Sequence, residues 1–295
     1  MTALELRLVS WNAHGAPGAP RREERMARIS RAVAERQPDV VLLQEVWRQR
    51  DAEAVIAALE PAGYQAVEAP EASRWPVRTS GLLSFVRAAA GWRAEQVRFH
   101  EFHAEAGDWK LWEGDGFADK GALAFALGGG AVELAIWNTH LQAAYEPGGY
   151  AEVRRAQLAE LRLMIEKSRE RVALLAGDLN TTPDEAALGE LGGFRELSAA
   201  ARASCACGTA VHEPPSAEWL DYLFARSTAG WRIEADVSLL RSVAPDEPYS
   251  DHHGLDAIVR IAPVALAWLA AARLAAPTTR RELLANAALC WLGRA

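Results

Sequence analysis

The feature that most constrains this chain is a set of apolar, strand-like runs that each give out on a polar residue. Leu4, Leu6 and Leu8 alternate with polar residues ahead of Trp11-Asn12, and Asp39-Val40-Val41-Leu42-Leu43-Gln44-Glu45 is apolar in its middle and acidic at its end. Val132 to Leu141 closes on Asn138 and His140, and Val172 to Ala176 leads through Gly177 into Asp178 and Asn180. Polar groups placed where apolar strands stop predict chemistry in loops along one edge of a sheet, the usual arrangement in α/β proteins.

Helix signals alternate with these runs, so the expected class is mixed α/β. Arg21 to Arg36 reads as a helix that ends before Pro38, and Tyr150 to Arg171 reads as an amphipathic helix. Further strands are expected at Gly81 to Arg87, Gln96 to Phe102, Ala122 to Leu127, Trp219 to Ala225, Trp231 to Val237 and Leu255 to Ile261. With 295 residues, half of them apolar, and no Ser/Gly/Pro-rich linker, one large domain over residues 1–262 is expected, followed by a helical extension over 263–295. In that extension Ile261 to Ala272 carries no charge but falls short of a bilayer span, and Arg280 to Leu292 forms a second helix beyond Pro277. The pair reads as helices packed on the domain or as an interfacial element that touches lipid.

Composition removes some function classes. A net charge of −7 and only three lysines, Lys110, Lys120 and Lys167, oppose a protein that grips nucleic acid mainly through phosphate neutralisation. Cys205, Cys207 and Cys290 make neither a disulfide framework nor a zinc spacing, which points to a reducing compartment. The N-terminus shows no secretory signal pattern, so the expected location is the cytoplasm, with the tail as the segment that would meet a membrane.

The strongest chemical motif is Gly177-Asp178-Leu179-Asn180, where a glycine lets the backbone turn tightly after an apolar strand and puts an Asp and an Asn two residues apart. The Asp could orient or deprotonate a water and the Asn amide could bond a phosphoryl oxygen. The same residues could equally do no more than complete an Asx-type turn. Four further motifs tilt this balance: Ser10-Trp11-Asn12, Gln44-Glu45, Asn138-Thr139-His140-Leu141-Gln142 and Ser250-Asp251-His252-His253-Gly254. In this order, with the Gly-Asp-Leu-Asn turn between the last two, they resemble the endonuclease/exonuclease/phosphatase superfamily, from about Leu4 to Ile261.

That resemblance implies a four-layer α/β sandwich with two central mixed β-sheets and a rim active site. It implies Glu45, assisted by Asn12, as the ligands of Mg²⁺, with Mn²⁺ as a substitute, a pairing that suits a hard cation taking oxygen donors. It makes His252 the acid/base partner, Asp221 the carboxylate that orients it, Asp251 a group facing metal or phosphate, Asp178 the residue that positions the attacking water, and His140 and Asn180 contacts to phosphoryl oxygens. His14 and His253 are expected beside this set rather than in it.

Thr139-His140-Leu141-Gln142-Ala143, the helix with Arg154, Arg155, Gln157 and Leu158, Asp119-Lys120-Gly121 and Ser80-Gly81-Leu82-Leu83 are similar to elements of the neutral sphingomyelinase branch. On that reading Lys120 supplies a point charge to a phosphodiester and the substrate is sphingomyelin or a related lipid, with Trp109, Trp112 and Phe117 on a loop before the lysine. The alternatives are a nuclease on the same scaffold, a phosphatase on a soluble phosphomonoester and a catalytically silent binding module. Oligomeric state is not readable from the sequence.

Overall fold

The computed structural model describes residues 3–16, 18–69, 80–105, 119–130, 132–145, 149–204, 209–210, 218–228, 230–241 and 249–264. The tail helices, Trp109, Trp112, Phe117 and the three cysteines lie outside the described residues. In chain order the elements are β1 (Leu4–Asn12), α1 (Arg22–Arg36), β2 (Val40–Gln44), α2 (Gln49–Leu59), β3 (Tyr64–Val67), β4 (Leu83–Arg87), β5 (Arg93–Glu101), β6 (Gly121–Gly128), β7 (Leu134–His140), α3 (Ala151–Lys167), β8 (Val172–Asp178), β9 (Arg195–Glu196), α4 (Ala199–Ser204), β10 (Asp221–Ser227), β11 (Trp231–Leu240) and β12 (Gly254–Pro263).

The strands form two six-stranded sheets, ordered β11-β12-β1-β2-β4-β3 and β5-β6-β7-β8-β10-β9. Each contains one parallel pair, β1 with β2 and β7 with β8, among antiparallel neighbours. The run β12-β1-β2-β4-β3 therefore repeats the strand directions of β10-β8-β7-β6-β5. Asn12 ends opposite Gln44 in one sheet, as His140 ends opposite Asp178 in the other.

The two-residue period of a strand explains what reaches the space between the sheets. On β1 the inward series is Leu6, Leu8, Ser10, Asn12; on β2 it is Val40, Leu42, Gln44; on β8 it is Leu174, Ala176, Asp178, all buried. Each inner face thus changes from apolar to polar toward the same rim. Where the sheets first turn polar, the buried Gln44 amide donates to Asn138 Oδ1 at 2.8 Å, and Asn138 donates to the Leu43 carbonyl at 3.0 Å and Ser84 Oγ at 3.1 Å. These bonds satisfy groups that would otherwise be costly to bury and lock the two sheets together just behind the rim.

The outward residues make the other two interfaces. Val9, Trp11, Val41, Leu43 and Phe85 pack against Met26, Ile29 and Val33 of α1 and Val55 and Leu59 of α2. Leu158, Leu161 and Ile165 of α3 join the larger core that contains Ala173 and Leu175. The result is the expected four-layer sandwich, helix, sheet, sheet, helix. The expected strands are all present with ends shifted by a few residues. The helix expected from Tyr150 begins one residue later, because Tyr150 is left-handed (φ 60), and it stops at Lys167 before extended Ser168. The strand expected from Gly81 starts at Leu83: Gly81 is left-handed (φ 62) and a Cβ there would meet the Trp47 ring at 2.8 Å. Helices α2 and α4 and strands β3 and β9 were not anticipated; the strands are short and α2 is Ala-rich with weak punctuation.

Candidate active site

The residues singled out from sequence converge on the rim where both inner faces turn polar. Asn12 Nδ2 donates to Glu45 Oε1 and to Asp178 Oδ2, each at 2.9 Å, so an amide from one sheet ties together carboxylates from both. Its Oδ1 accepts from the His14 backbone N–H at 2.9 Å, and its carbonyl accepts from Ser250 Oγ. Strict alternation after inward Gln44 would send Glu45 to the outer face. The backbone of Glu45 is instead left-handed (φ 58), which breaks the alternation and lets its carboxylate reach Asn12. Such a conformation in a non-glycine residue costs about 1–3 kcal/mol and is characteristic of functional sites.

Asp178 is the hub. It is 1% exposed, and its Oδ2 lies 3.7 Å from His140 Nε2 and 3.7 Å from His252 Nε2. Gly177 before it is left-handed (φ 149), and a side chain there would run into the Thr139 carbonyl. Asp178 Oδ1 accepts the Asn180 backbone N–H at 2.8 Å, which is the Asx-type turn weighed from the sequence. Asn180 Nδ2 donates to the Leu141 carbonyl at 3.0 Å, leaving its second amide hydrogen for another acceptor. Burial, then the Asp221 charge, push the Asp178 carboxyl up to about 7 against the opposing pull of His252 and Asn12.

His252 Nδ1 sits 2.7 Å from Asp221 Oδ2, and both side chains are buried. Burial alone would push this imidazole down; the charges of Asp221 and Asp178 outweigh it and hold His252 well above the ordinary histidine range. Asp221 is fixed at the first residue of β10, where its N–H donates to Thr209 Oγ1 at 3.0 Å, while Asp221 Oδ1 is a buried oxygen with no hydrogen-bond partner among the described residues. His252 is fixed by its carbonyl, which accepts the Trp11 indole N–H at 3.0 Å.

His140 behaves in the opposite way. Burial, then Lys120 and His252, push its imidazole well below the ordinary range, so it is neutral. Lys120 is buried and its Nζ lies 3.5 Å from His140 Nδ1. An ammonium can only donate, so Nδ1 is the acceptor and the single ring proton sits on Nε2, facing Asp178. That tautomer makes His140 a hydrogen-bond donor into the site and leaves Nε2 no lone pair for a metal. Asp251 stands on the open side, half-buried, with Oδ2 3.4 Å from His14 Nδ1.

Among the described residues, two groups bring three possible ligand atoms within 4.8 Å of one another: Glu45, His140 and Asp178, and Asp178, Asp221 and His252. The second suits an acid/base dyad better than a metal, because a histidine must be neutral to ligate and His252 is held protonated. The first, with His140 set as a donor, offers the oxygens of Glu45 and Asp178. An oxygen-only donor set of two carboxylates on one amide fits a hard divalent cation.

A family model described as the Endonuclease/Exonuclease/phosphatase family matches residues 9–252. The chain belongs to that family. Membership places it among phosphoric ester hydrolases and agrees with the five motifs read in order. Over 188 residues the chain is 28% identical to sphingomyelin phosphodiesterase 2 of Homo sapiens, a match covering 62% of this chain and 43% of that protein. Over 193 residues it is 31% identical to the putative neutral sphingomyelinase of Drosophila melanogaster, covering 63% and 41%. The match thus spans less than half the length of these relatives. Among solved structures, humanized D. rerio TDP2 superposes with a TM-score of 0.68 at 17% identity, covering 87% of this chain and 98% of that one. Sphingomyelinase C of Streptomyces griseocarneus gives 0.62 at 19%, covering 86% and 99%. At such identities the structures establish a shared fold.

Sequence reading missed Trp47, half-buried beside this cluster, whose ring centroid lies 5.6 Å from Lys120 Nζ and 6.1 Å from that of His140. Its position two residues past Glu45 was the available signal. Thr209 carried none, because its contact to Asp221 exists only after folding.

Proposed function

We propose that the protein is a Mg²⁺-dependent phosphodiesterase that hydrolyses a sphingomyelin-like lipid phosphodiester by direct attack of water. The observation that carries this reading is the split of two histidines 3.7 Å from one carboxylate oxygen, His140 neutral and donating, His252 protonated and oriented by Asp221. Opposed protonation states around one acidic hub are what separate acid from hydrogen-bond donor in a hydrolytic site.

Glu45 and Asp178, with Asn12 beside them, would hold a divalent cation, which when bound polarises phosphoryl oxygens and offsets their charge. Asp178 Oδ2 accepts a proton from the attacking water and aligns it. The Nε2–H of His140, backed by Lys120, and the free amide hydrogen of Asn180 donate to phosphoryl oxygens as charge builds on them. His252 gives its Nε2 proton to the departing oxygen, and Asp221 holds the ring at that angle. Mn²⁺, with the same preference for oxygen ligands, would substitute.

The lipid assignment draws on the two curated relatives and on the Thr139 to Ala143 and Lys120 elements. The site would be presented to a membrane surface, in the cytoplasm, with residues 263–295 as the contacting segment. No helix among the described residues is long and apolar enough to cross a bilayer. A nuclease is the second reading, favoured by the likeness of fold to TDP2, of which one zebrafish structure holds a single-strand DNA product; the net charge of −7 opposes it.

The deciding experiment is Mg²⁺-dependent release of phosphocholine from sphingomyelin vesicles, run beside bis-p-nitrophenyl phosphate and plasmid nicking. Lipid turnover that vanishes in Glu45→Ala is the expected result. Inert vesicles with nicked plasmid would move the substrate to nucleic acid, and activity surviving EDTA would remove the cation.

A further inference from the structure

The turn that follows β1 is strained, and the structure shows what holds it. His14 is left-handed (φ 50), and so is Glu45 (φ 58), the residue just past the neighbouring strand β2. Two such residues side by side persist only where their surroundings over-determine them. Part of that constraint is backbone: the Ala13 N–H donates to the Gln44 carbonyl at 2.9 Å and the Val46 N–H to the Gly81 carbonyl at 2.8 Å. Part is steric. Gly15 lies so close to the main chain of Glu45 that a Cβ on it would come within 2.0 Å of the Glu45 carbonyl oxygen.

The remaining constraint is a buried cation. Arg25, near the start of α1, is 4% exposed, and its guanidinium donates to the His14 carbonyl at 2.5 Å. Among the described residues its buried Nε has no hydrogen-bond partner. Burial pushes the guanidinium down from the ordinary arginine range, with Asp251 the largest charge drawing it back and Glu45 pulling the same way. A cation is costly to bury, and this one is spent on gripping a main-chain carbonyl beside the rim.

We infer that Arg25 is a positioning residue for the divalent cation. By fixing the His14 carbonyl it keeps Gly15 against Glu45 and so holds the strained backbone that turns the Glu45 carboxylate toward Asn12. The inference rests on the reading of Glu45 as a ligand of that cation. Charge and positioning predict opposite signs. A positive group near two carboxylates repels a cation, so if Arg25 acted by charge alone its removal would tighten Mg²⁺ binding. Acting through the turn, its removal loosens Glu45, and losing a group that holds a ligand residue costs about 10–100-fold in metal affinity.

The test is Mg²⁺ titration of the metal-free full chain, read by calorimetry and by thermal stabilisation. Arg25→Met should raise the dissociation constant at least about tenfold. It should raise the Mg²⁺ concentration for half-maximal hydrolysis of bis-p-nitrophenyl phosphate by the same factor, with kcat at saturating Mg²⁺ within about threefold of the parent. Gly15→Ala, which displaces Glu45 without touching Arg25, should also weaken Mg²⁺ binding at least about tenfold, and it tests the same route if Arg25→Met does not fold. Either variant binding Mg²⁺ within about twofold of the parent, or more tightly, would overturn the inference and leave Glu45 as a ligand. Loss of kcat at saturating Mg²⁺ in Arg25→Met would overturn it too, because Arg25 would then support the fold at large. Parental Mg²⁺ binding by Glu45→Ala would instead remove the cation from Glu45, and with it the reading on which the inference rests.

Discussion

The rim is built from two halves that solve different problems. Lys120, His140, Asp178 and Asp221 come from the second sheet and are almost wholly buried, whereas Glu45, Asp251 and His14 come from the first sheet and stay partly open to water. Behind the buried half there is little solvent, so burial, reinforced by Lys120, drives His140 down, while the charges of Asp221 and Asp178 overcome burial and drive His252 up. The open half has access, which an incoming cation and ester require. Catalytic tuning therefore belongs to the second sheet and admission of the reacting partners to the first, with His252, just ahead of β12, carried across to Asp221.

The largest effect expected from this division is loss of turnover by about 10²–10⁴-fold in His252→Ala, measured as kcat on bis-p-nitrophenyl phosphate. Glu45→Ala should fall as far and should also abolish the thermal stabilisation that Mg²⁺ gives the parent. A Glu45→Ala protein that keeps that stabilisation would place the cation elsewhere.

Asp178→Asn sharpens the contrast in a second way. Burial holds the Asp178 carboxyl up to about 7, so its folded value exceeds its unfolded one. The stability cost is absent below the unfolded value, grows as pH rises toward about 7 and is full above it. The inactive Asp178→Asn protein should accordingly be more stable than the parent without metal at pH 8 and no more stable at pH 4. Equal melting temperatures at pH 8 would show that Asp178 is not desolvated as described.

Asp221→Asn should reduce kcat about tenfold or more and draw the alkaline limb of the pH–rate profile down toward the ordinary histidine range, because the largest charge raising His252 is gone. His252 stabilises the fold through the same pairing, a contribution present below its unfolded value and lost as pH rises through the folded one. An unmoved limb would assign it to another group. The smallest effect belongs to the open half: His14→Ala should change kcat/KM by only a few-fold, since His14 touches the site through Asp251 at 3.4 Å.

What the sequence by itself determined was the placement of polar residues at strand ends. Two-residue alternation after Leu6-Leu8, Val40-Leu42 and Leu174-Ala176 is a local rule, so the inward positions of Asn12, Gln44 and Asp178 follow from the order of residues alone, and motif order then named the family. Only the tertiary structure decided which of these groups meet. That Asn12 spans Glu45 and Asp178, that His252 pairs with Asp221 across 31 residues, and that Lys120 fixes the tautomer of His140 depend on two sheets facing each other. Burial, and with it the opposite charge states of two identical side chains, is a property of that packing, which no single segment contains.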